Sequence, residues 1–273
     1  MTTSRKSAFF QGVRCLLSVR AMDITVLPLQ NRIALVTGAS KGIGARISVE
    51  LAAAGACVVV NYRADQAGAE RVVKEITEAG GTALAVPADV SRADDVTQLF
   101  TTARAAFGTV DVLVNNASVY EFAPLGSYTE EQYRRHADTN FWGPMLTMQA
   151  LIAQPDLGPA SIVNVSTAGT TALPPNSSLY VATKAALNAA TVIAAKELGP
   201  RGIRVNAIAP SVSDTDGTRA MVHRLTAGRP GAGRDPAGPP GHTGRLRPGG
   251  GLPGLRGRPL VTGALLHVSG GQR

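Results

Sequence analysis

Short apolar runs alternate along this chain with longer segments whose apolar positions recur at helical spacing. The runs Ile33–Val36, Ala56–Tyr62, Ala83–Val86, Val110–Val114, Ser161–Val165 and Ile203–Ile208 read as strands. Segments at 45–54, 66–79, about 92–107, 129–153 and 179–198 read as helices. Ser91 with Asp94, and Thr129 with Gln132, have the spacing of helix-starting caps. Gly55 and the pair Gly80-Gly81 follow helical segments where a C-terminal glycine is expected. Strand and helix in strict alternation specify a doubly wound α/β domain around a parallel sheet. Such a sheet binds its ligand beyond the carboxyl ends of the strands, where the strand order reverses.

The first apolar run leads into Thr37-Gly38-Ala39-Ser40-Lys41-Gly42-Ile43-Gly44 and then at once into a helical pattern. Glycines here allow a sharp turn and close approach of a phosphate to the helix N-terminus. The free amide hydrogens and the positive end of the helix dipole favour a pyrophosphate. Tyr180 and Lys184 stand four residues apart, on one face of the long helix. A tyrosine hydroxyl normally titrates near 10, and an ammonium beside it favours the phenolate. That pair is a candidate proton donor and acceptor.

The 273 residues suffice for one large domain with a substantial core, and no apolar run is long enough to span a bilayer. The net charge of +8 suggests a nucleic-acid partner until its distribution is examined. Residues 1–21 carry +4 and residues 219–273 carry +8, which leaves −4 on 22–218. The basic charge therefore belongs to the ends, and no nucleic-acid face is expected on the domain. The two cysteines, Cys15 and Cys57, do not suggest a disulfide framework or a metal site, and a reducing, cytoplasmic setting is expected. The four histidines, at 136, 223, 242 and 267, lack ligand-like spacing and read as surface or packing residues, so no metal is expected. Phe141 and Trp142 are expected to pack in the helix core, with substrate contact the alternative. Tyr120, Glu121 and Phe122 are placed to line a substrate entrance.

The glycine turn, Asn115-Asn116-Ala117 and Tyr180-Val181-Ala182-Thr183-Lys184 occur in an order and at separations that resemble the short-chain dehydrogenase/reductase family. Within it, the chain looks most like 3-oxoacyl-carrier-protein reductases and glucose-dehydrogenase-like members. The resemblance covers about 29–218 and resumes at 260–271. It implies a single Rossmann-type domain with a mostly parallel seven-stranded sheet flanked by helices. It makes Tyr180 the general acid for carbonyl reduction, with Lys184 lowering its pKa and holding the nicotinamide ribose. Asn140 matches the residue that supports a water-linked relay to the lysine. Asn115 matches one that braces the cofactor site, and Asp89 and Val90 match a pair that contacts adenine. A hydroxyl for the substrate carbonyl is also implied. Counting from Asn164 or back from Tyr180 selects Thr167, the preferred reading, whereas the S-x-x-G spacing to Gly169 selects Ser166. Ala117, Pro210, Ser213 and Thr215 fall beside the nicotinamide, with Thr215 bonding its carboxamide. Ser118 and Ser211 replace glycines usual in the family.

Cofactor choice follows from charge. An acidic residue after the second strand would bond the ribose hydroxyls and repel a 2′-phosphate. That place reads Asn61-Tyr62-Arg63, with Lys41 in the glycine turn, which favours NADP(H). The substrate expected first is a 3-oxoacyl thioester of fatty-acid or polyketide synthesis, and a sugar or other secondary alcohol is second. The competing class is a catalytically weak dinucleotide-binding scaffold or sensor. A homodimer or homotetramer is expected through the helices near 130–153 and 179–198, with no membrane partner.

Two segments break the pattern. Residues 1–21 are basic and free of acids, like a mitochondrial presequence, although a start at Met22 explains them more simply. The domain proper is placed at 22–225. Residues 226–259 contain 18 glycines and prolines with added arginines, where the family has a substrate lid. Family-like sequence resumes on schedule at 260–273. A pair of compensating frameshifts in GC-rich coding DNA would produce this; the alternative is an Arg/Gly-rich tail for nucleic acid or acidic surfaces.

Overall fold

The structure, a computed structural model, describes residues 27–211 and 261–268. Its strands are β1 (Ile33–Val36), β2 (Cys57–Tyr62), β3 (Thr82–Pro87), β4 (Val112–Asn115), β5 (Ser161–Val165), β6 (Arg204–Pro210) and β7 (Leu265–Val268). They form one sheet in the order β3-β2-β1-β4-β5-β6-β7. Every pairing is parallel, so the expected architecture stands with no antiparallel strand among the described residues. The chain winds outward from β1 to β3, then crosses back to β4. That reversal opens a crevice between the carboxyl ends of β1 and β4.

The helices are α1 (Gly42–Ala53), α2 (Gln66–Glu78), α3 (Ala93–Phe107), α4 (Glu130–Ala137), α5 (Gly143–Ile152), the short α6 (Gly169–Ala172) and α7 (Ser178–Leu198). The apolar strand runs are explained by burial on both faces. Leu35, Val59, Leu113 and Ile162 face one core with α3, α5 and the end of α7. Their neighbours Val36, Val60, Val114 and Val163 face the other, with α1 and α2. Alternation along each strand sends successive side chains to opposite layers.

Several local expectations change. The segment 129–153 is not one regular helix: a π-helical turn, Asp138–Trp142, joins α4 to α5. Thr129 and Gln132 do form the reciprocal cap of α4. Ser91 does not cap α3, whose N-cap is Arg92. Its hydroxyl instead donates to the Asp89 carboxylate at 2.6 Å, a local bond that competes with capping. Trp142, the last residue of the π turn, is 46% exposed rather than core, and Phe141 is half-buried. By length and composition, Ser178–Arg201 is apolar enough to cross a membrane, contrary to the sequence reading. In the fold it lies along β6 and turns Lys184 inward.

Candidate active site

The turn after β1 is set by contacts from three strands. Gly38 has φ +59, and a Cβ there would lie 2.8 Å from the Ala117 Cα. A Cβ at Gly44 would strike the Asn116 amide and sit 2.8 Å from the Gly38 carbonyl oxygen. The Thr37 hydroxyl oxygen accepts from the Asn116 and Ala117 amides, each at 3.0 Å. The Asn116 side chain donates back to the Thr37 and Gly38 carbonyls at 2.9 Å. Asn61, fully buried at the end of β2, accepts from the Gly38 amide at 3.2 Å and donates to Ala88 O at 3.1 Å. It therefore shapes the turn from beneath. Lys41 stands at the N-cap of α1 with no side-chain cap. The first-turn amides of α1 are thus free for an anion, and this is where the residues fit a dinucleotide pyrophosphate.

A cleft of about 490 Å³ runs from this turn across the crevice, within the range of small-molecule sites. Gly38, Ser40, Lys41, Gly42, Ile43, Asn61, Tyr62, Arg63, Asp89, Val90, Ala117, Ser166, Thr167, Tyr180, Lys184 and Pro210 all line it. Asn140, Asn115 and Gly44, also singled out in the sequence, lie behind the wall. Ser213 and Thr215 fall outside the described residues, as do 1–21 and 226–259.

The adenosine end differs in charge from the expectation. Two carboxylates, Asp65 and Asp89, line it beside Arg63 and Lys41. Neither carboxylate is free: Asp65 caps α2 by accepting from the Gly68 amide at 3.0 Å, and Asp89 holds Ser91. Arg63 is largely exposed and stands 3.8 Å from Asp89.

Beneath the centre of the cleft runs a buried polar chain. The Thr147 hydroxyl donates to Asn115 Oδ1 at 2.6 Å, Asn115 donates to Asn164 Oδ1 at 2.9 Å, and Asn164 donates to Thr191 at 2.9 Å. It ties α5, β4, β5 and α7 together. Each buried amide has a partner, which keeps it from destabilising the core.

Tyr180 and Lys184 come into the cleft from the first turns of α7. Burial pushes the Tyr180 hydroxyl above its ordinary value; a hydrogen bond with Thr167 lowers it, and Tyr120 raises it again. The neighbouring ammonium, expected from the four-residue spacing to lower it, is not among the causes of the shift. Lys184 is itself 2% exposed, and burial brings it down from 10.5 to about 7. Its Nζ donates to Val165 O at 2.7 Å. The two candidate hydroxyls differ. Thr167 Oγ1 accepts from the Gly169 amide at 3.1 Å and bonds Tyr180. Ser166 Oγ is buried with no protein partner.

The far wall is the loop after β4. Tyr120 and Phe122 line it, with ring centroids 6.2 and 6.0 Å from Tyr180. Asn140 holds this loop: it accepts from the Val119 amide and donates to the Val119 carbonyl, both at 2.8 Å. Ser118 donates to the same Asn140 oxygen at 3.0 Å, and Asn140 donates to Thr183 of α7 at 3.1 Å.

Comparison with known proteins agrees with this fold. The profile of the short chain dehydrogenase family matches residues 32–225. The chain belongs to the short-chain dehydrogenase family. It is 51% identical over 191 residues to an uncharacterised oxidoreductase of Methylorubrum extorquens, covering 70% of this chain and 76% of the relative. It is 38% identical over 204 residues to a hydroxynaphthalene reductase-like protein of Metarhizium majus, covering 74% and 76%. Among solved structures, a short chain dehydrogenase from Burkholderia cenocepacia in complex with NADP is 32% identical with a TM-score of 0.75, covering 89% of this chain and 98% of that one. A short-chain dehydrogenase is an oxidoreductase with a nicotinamide cofactor, and the glycine turn and cleft are where this one would hold it.

The sequence reading missed His136 in this dehydrogenase. It is fully buried; Nδ1 lies 2.8 Å from Gln132 O, and Nε2 accepts from the Glu121 amide at 3.1 Å. Its position four residues before Asn140, on the same helical face, was the available signal.

Proposed function

We propose that this protein reduces a ketone to a secondary alcohol with NADPH, Tyr180 acting as the general acid. The observation that carries the reading is Tyr180 itself: a buried hydroxyl held protonated, on the cleft wall, bonded to Thr167 and one turn from a buried lysine. The α1 amides would hold the pyrophosphate of a nicotinamide dinucleotide, which would supply the hydride. Tyr180 passes its proton to the carbonyl oxygen as charge builds there. Lys184, brought to about 7 by burial, offsets in its protonated form the negative charge left on the tyrosine. Ser166 and Thr167 are the two donors for the carbonyl oxygen. Thr167 already serves Tyr180 and Gly169, so the unpartnered Ser166 Oγ has the more open hydrogen-bonding capacity. Asn140 supports the site by fixing Val119 and Thr183, and Asn115 by bracing the floor.

NADPH is favoured over NADH by Arg63 and Lys41, with Asp65 and Asp89 both engaged elsewhere. A 3-oxoacyl thioester remains the first substrate class to test. A second reading, a cyclic or fused-ring ketone, is favoured by the aromatic wall of Tyr120 and Phe122 beside Tyr180 and by the hydroxynaphthalene reductase-like relative. The protein is expected to work in the cytoplasm as a homodimer or homotetramer through α4, α5 and α7. Exposed Tyr133 of α4 and Val192 and Ile193 of α7, with Trp142 of the π turn between α4 and α5, suit such a contact.

The test is NADPH oxidation at about 340 nm with acetoacetyl thioesters and cyclic ketones, wild type against Tyr180→Phe. Turnover that falls about 10²–10⁴-fold in the variant, with NADPH affinity unchanged, is the expected result. NADPH binding with no turnover on any ketone favours the scaffold or sensor class instead.

A further inference from the structure

We propose that His136 is a positioning residue that sets the substrate wall of the cleft by holding the 118–122 loop. No cleft atom belongs to His136; it acts through the backbone of Glu121. The imidazole is fully buried, and both ring nitrogens meet backbone groups of opposite character. Gln132 O can only accept, so Nδ1 carries the proton; the Glu121 amide can only donate, so Nε2 is the acceptor. The two bonds fix one neutral tautomer and one ring orientation. Glu121 is further held by an ion pair with Arg135, the residue beside His136.

The arrangement has a mechanical meaning. His136 grips the loop at Glu121 and Asn140 grips it at Val119, and these two points straddle Tyr120. The far end is pinned where the Ala123 amide donates to Asn176 O at 2.8 Å. The rings that face Tyr180, Tyr120 and Phe122, thus hang between fixed points one or two residues away. Loss of the His136 acceptor leaves the Glu121 amide unpaired and frees the outer grip while Asn140 keeps the inner one. The effect falls on the wall that meets substrate. The dinucleotide turn, held by Thr37, Asn61 and Asn116, is untouched.

The test compares His136→Leu, which removes the acceptor, with His136→Gln, whose side-chain oxygen restores one near the Nε2 position. Amide hydrogen exchange of the 118–123 segment reads the grip directly, without any activity. Exchange should quicken roughly five- to thirtyfold in His136→Leu and return most of the way in His136→Gln, the range that one unpaired buried donor implies. On the whole enzyme, KM for the best ketone should rise by a similar factor in His136→Leu, with kcat and the NADPH Kd within about twofold of wild type. Unchanged loop exchange in His136→Leu overturns the proposal. So does a quickened loop with unchanged KM, since His136 is then only structural. If His136→Leu does not fold, the Gln variant decides: wild-type exchange and KM support the acceptor role, and the Leu-like rise expected of a failed grip overturns it. The kinetic arm rests on the reductase reading. Failure of wild type to reduce any ketone defeats that reading, while the exchange measurement still decides the grip.

Discussion

The two sides of the cleft are built differently. On the dinucleotide side, the turn after β1 is held by residues of β1, β2 and β4, and nearly all of its bonds join backbone to short side chains. On the substrate side, the loop after β4 is carried by long-range grips from α4 and the π turn, one from His136 and one from Asn140. On the proposed function, the first side would recognise a constant group, a pyrophosphate, and its geometry is fixed by where a Cβ is tolerated. The second would have to suit a variable ketone, and its shape is set by a few buried side chains. Binding of cofactor and choice of substrate are therefore separable by mutation.

Ser166→Ala should break the substrate side most severely. If Ser166 orients the carbonyl, kcat/KM falls about 10²–10³-fold with the NADPH Kd unchanged, and Thr167→Ala costs less. The reverse ranking would assign the carbonyl to Thr167. Gly38→Ala should break the other side. A Cβ pressed against Ala117 at positive φ costs on the order of 1–3 kcal/mol in thermal unfolding and weakens NADPH in fluorescence titration. A normal Tm with normal NADPH binding would show that the turn yields more easily than its packing implies.

Lys184→Met sharpens the comparison through pH. Burial holds Lys184 at about 7, whereas the unfolded chain keeps its lysine protonated to about 10.4. Between these values unfolding takes up a proton, so wild-type stability gains as pH rises and carries the full burial penalty below about 7. The methionine variant lacks this slope. Its stability relative to wild type should drop by roughly 2–4 kcal/mol between about pH 7 and pH 10 in denaturant titrations. Parallel curves would mean that the native lysine keeps its proton. Arg63→Ala is the mildest change. It should weaken NADPH several-fold, less so at high salt, and leave NADH alone. Equal losses for both cofactors would remove the argument for NADPH.

Much of the dinucleotide side was legible in the chain. The signal of the glycine turn is local, an apolar strand, glycines and a helix start within about ten positions, and the Tyr180/Lys184 pair needs only one helical turn, although the bonds that hold the turn reach Asn61 and Asn116 on other strands. The substrate side was less legible because its contacts, such as Glu121 with His136 and Asn140 with Thr183, carry no local motif of that kind. His136 read as a surface or packing residue, and its four-residue spacing from Asn140 did not by itself show that the Glu121 amide would meet it. The π turn was also hidden: 129–153 keeps helical apolar spacing, and the extra residue shows only when Asn140 must reach Val119. Sequencing the coding DNA across 226–259 tests the frame of the segment where a lid is expected; an unbroken frame giving these residues would reject the frameshift.

By itself the sequence determined the alternation of strand and helix, the parallel sheet, the site at its carboxyl edge and the groups able to move a proton there. These follow from local periodicity, from glycine's lack of a Cβ and from the four-residue repeat of a helix. Only the tertiary structure decided which groups are free to act. Burial raised the Tyr180 hydroxyl and lowered Lys184, hydrogen bonding left Ser166 open while engaging Asp65, Asp89 and Thr167, and folding put His136 against Glu121. Desolvation and the count of remaining partners are properties of the assembled interior, where distant segments compete for the same donors and acceptors.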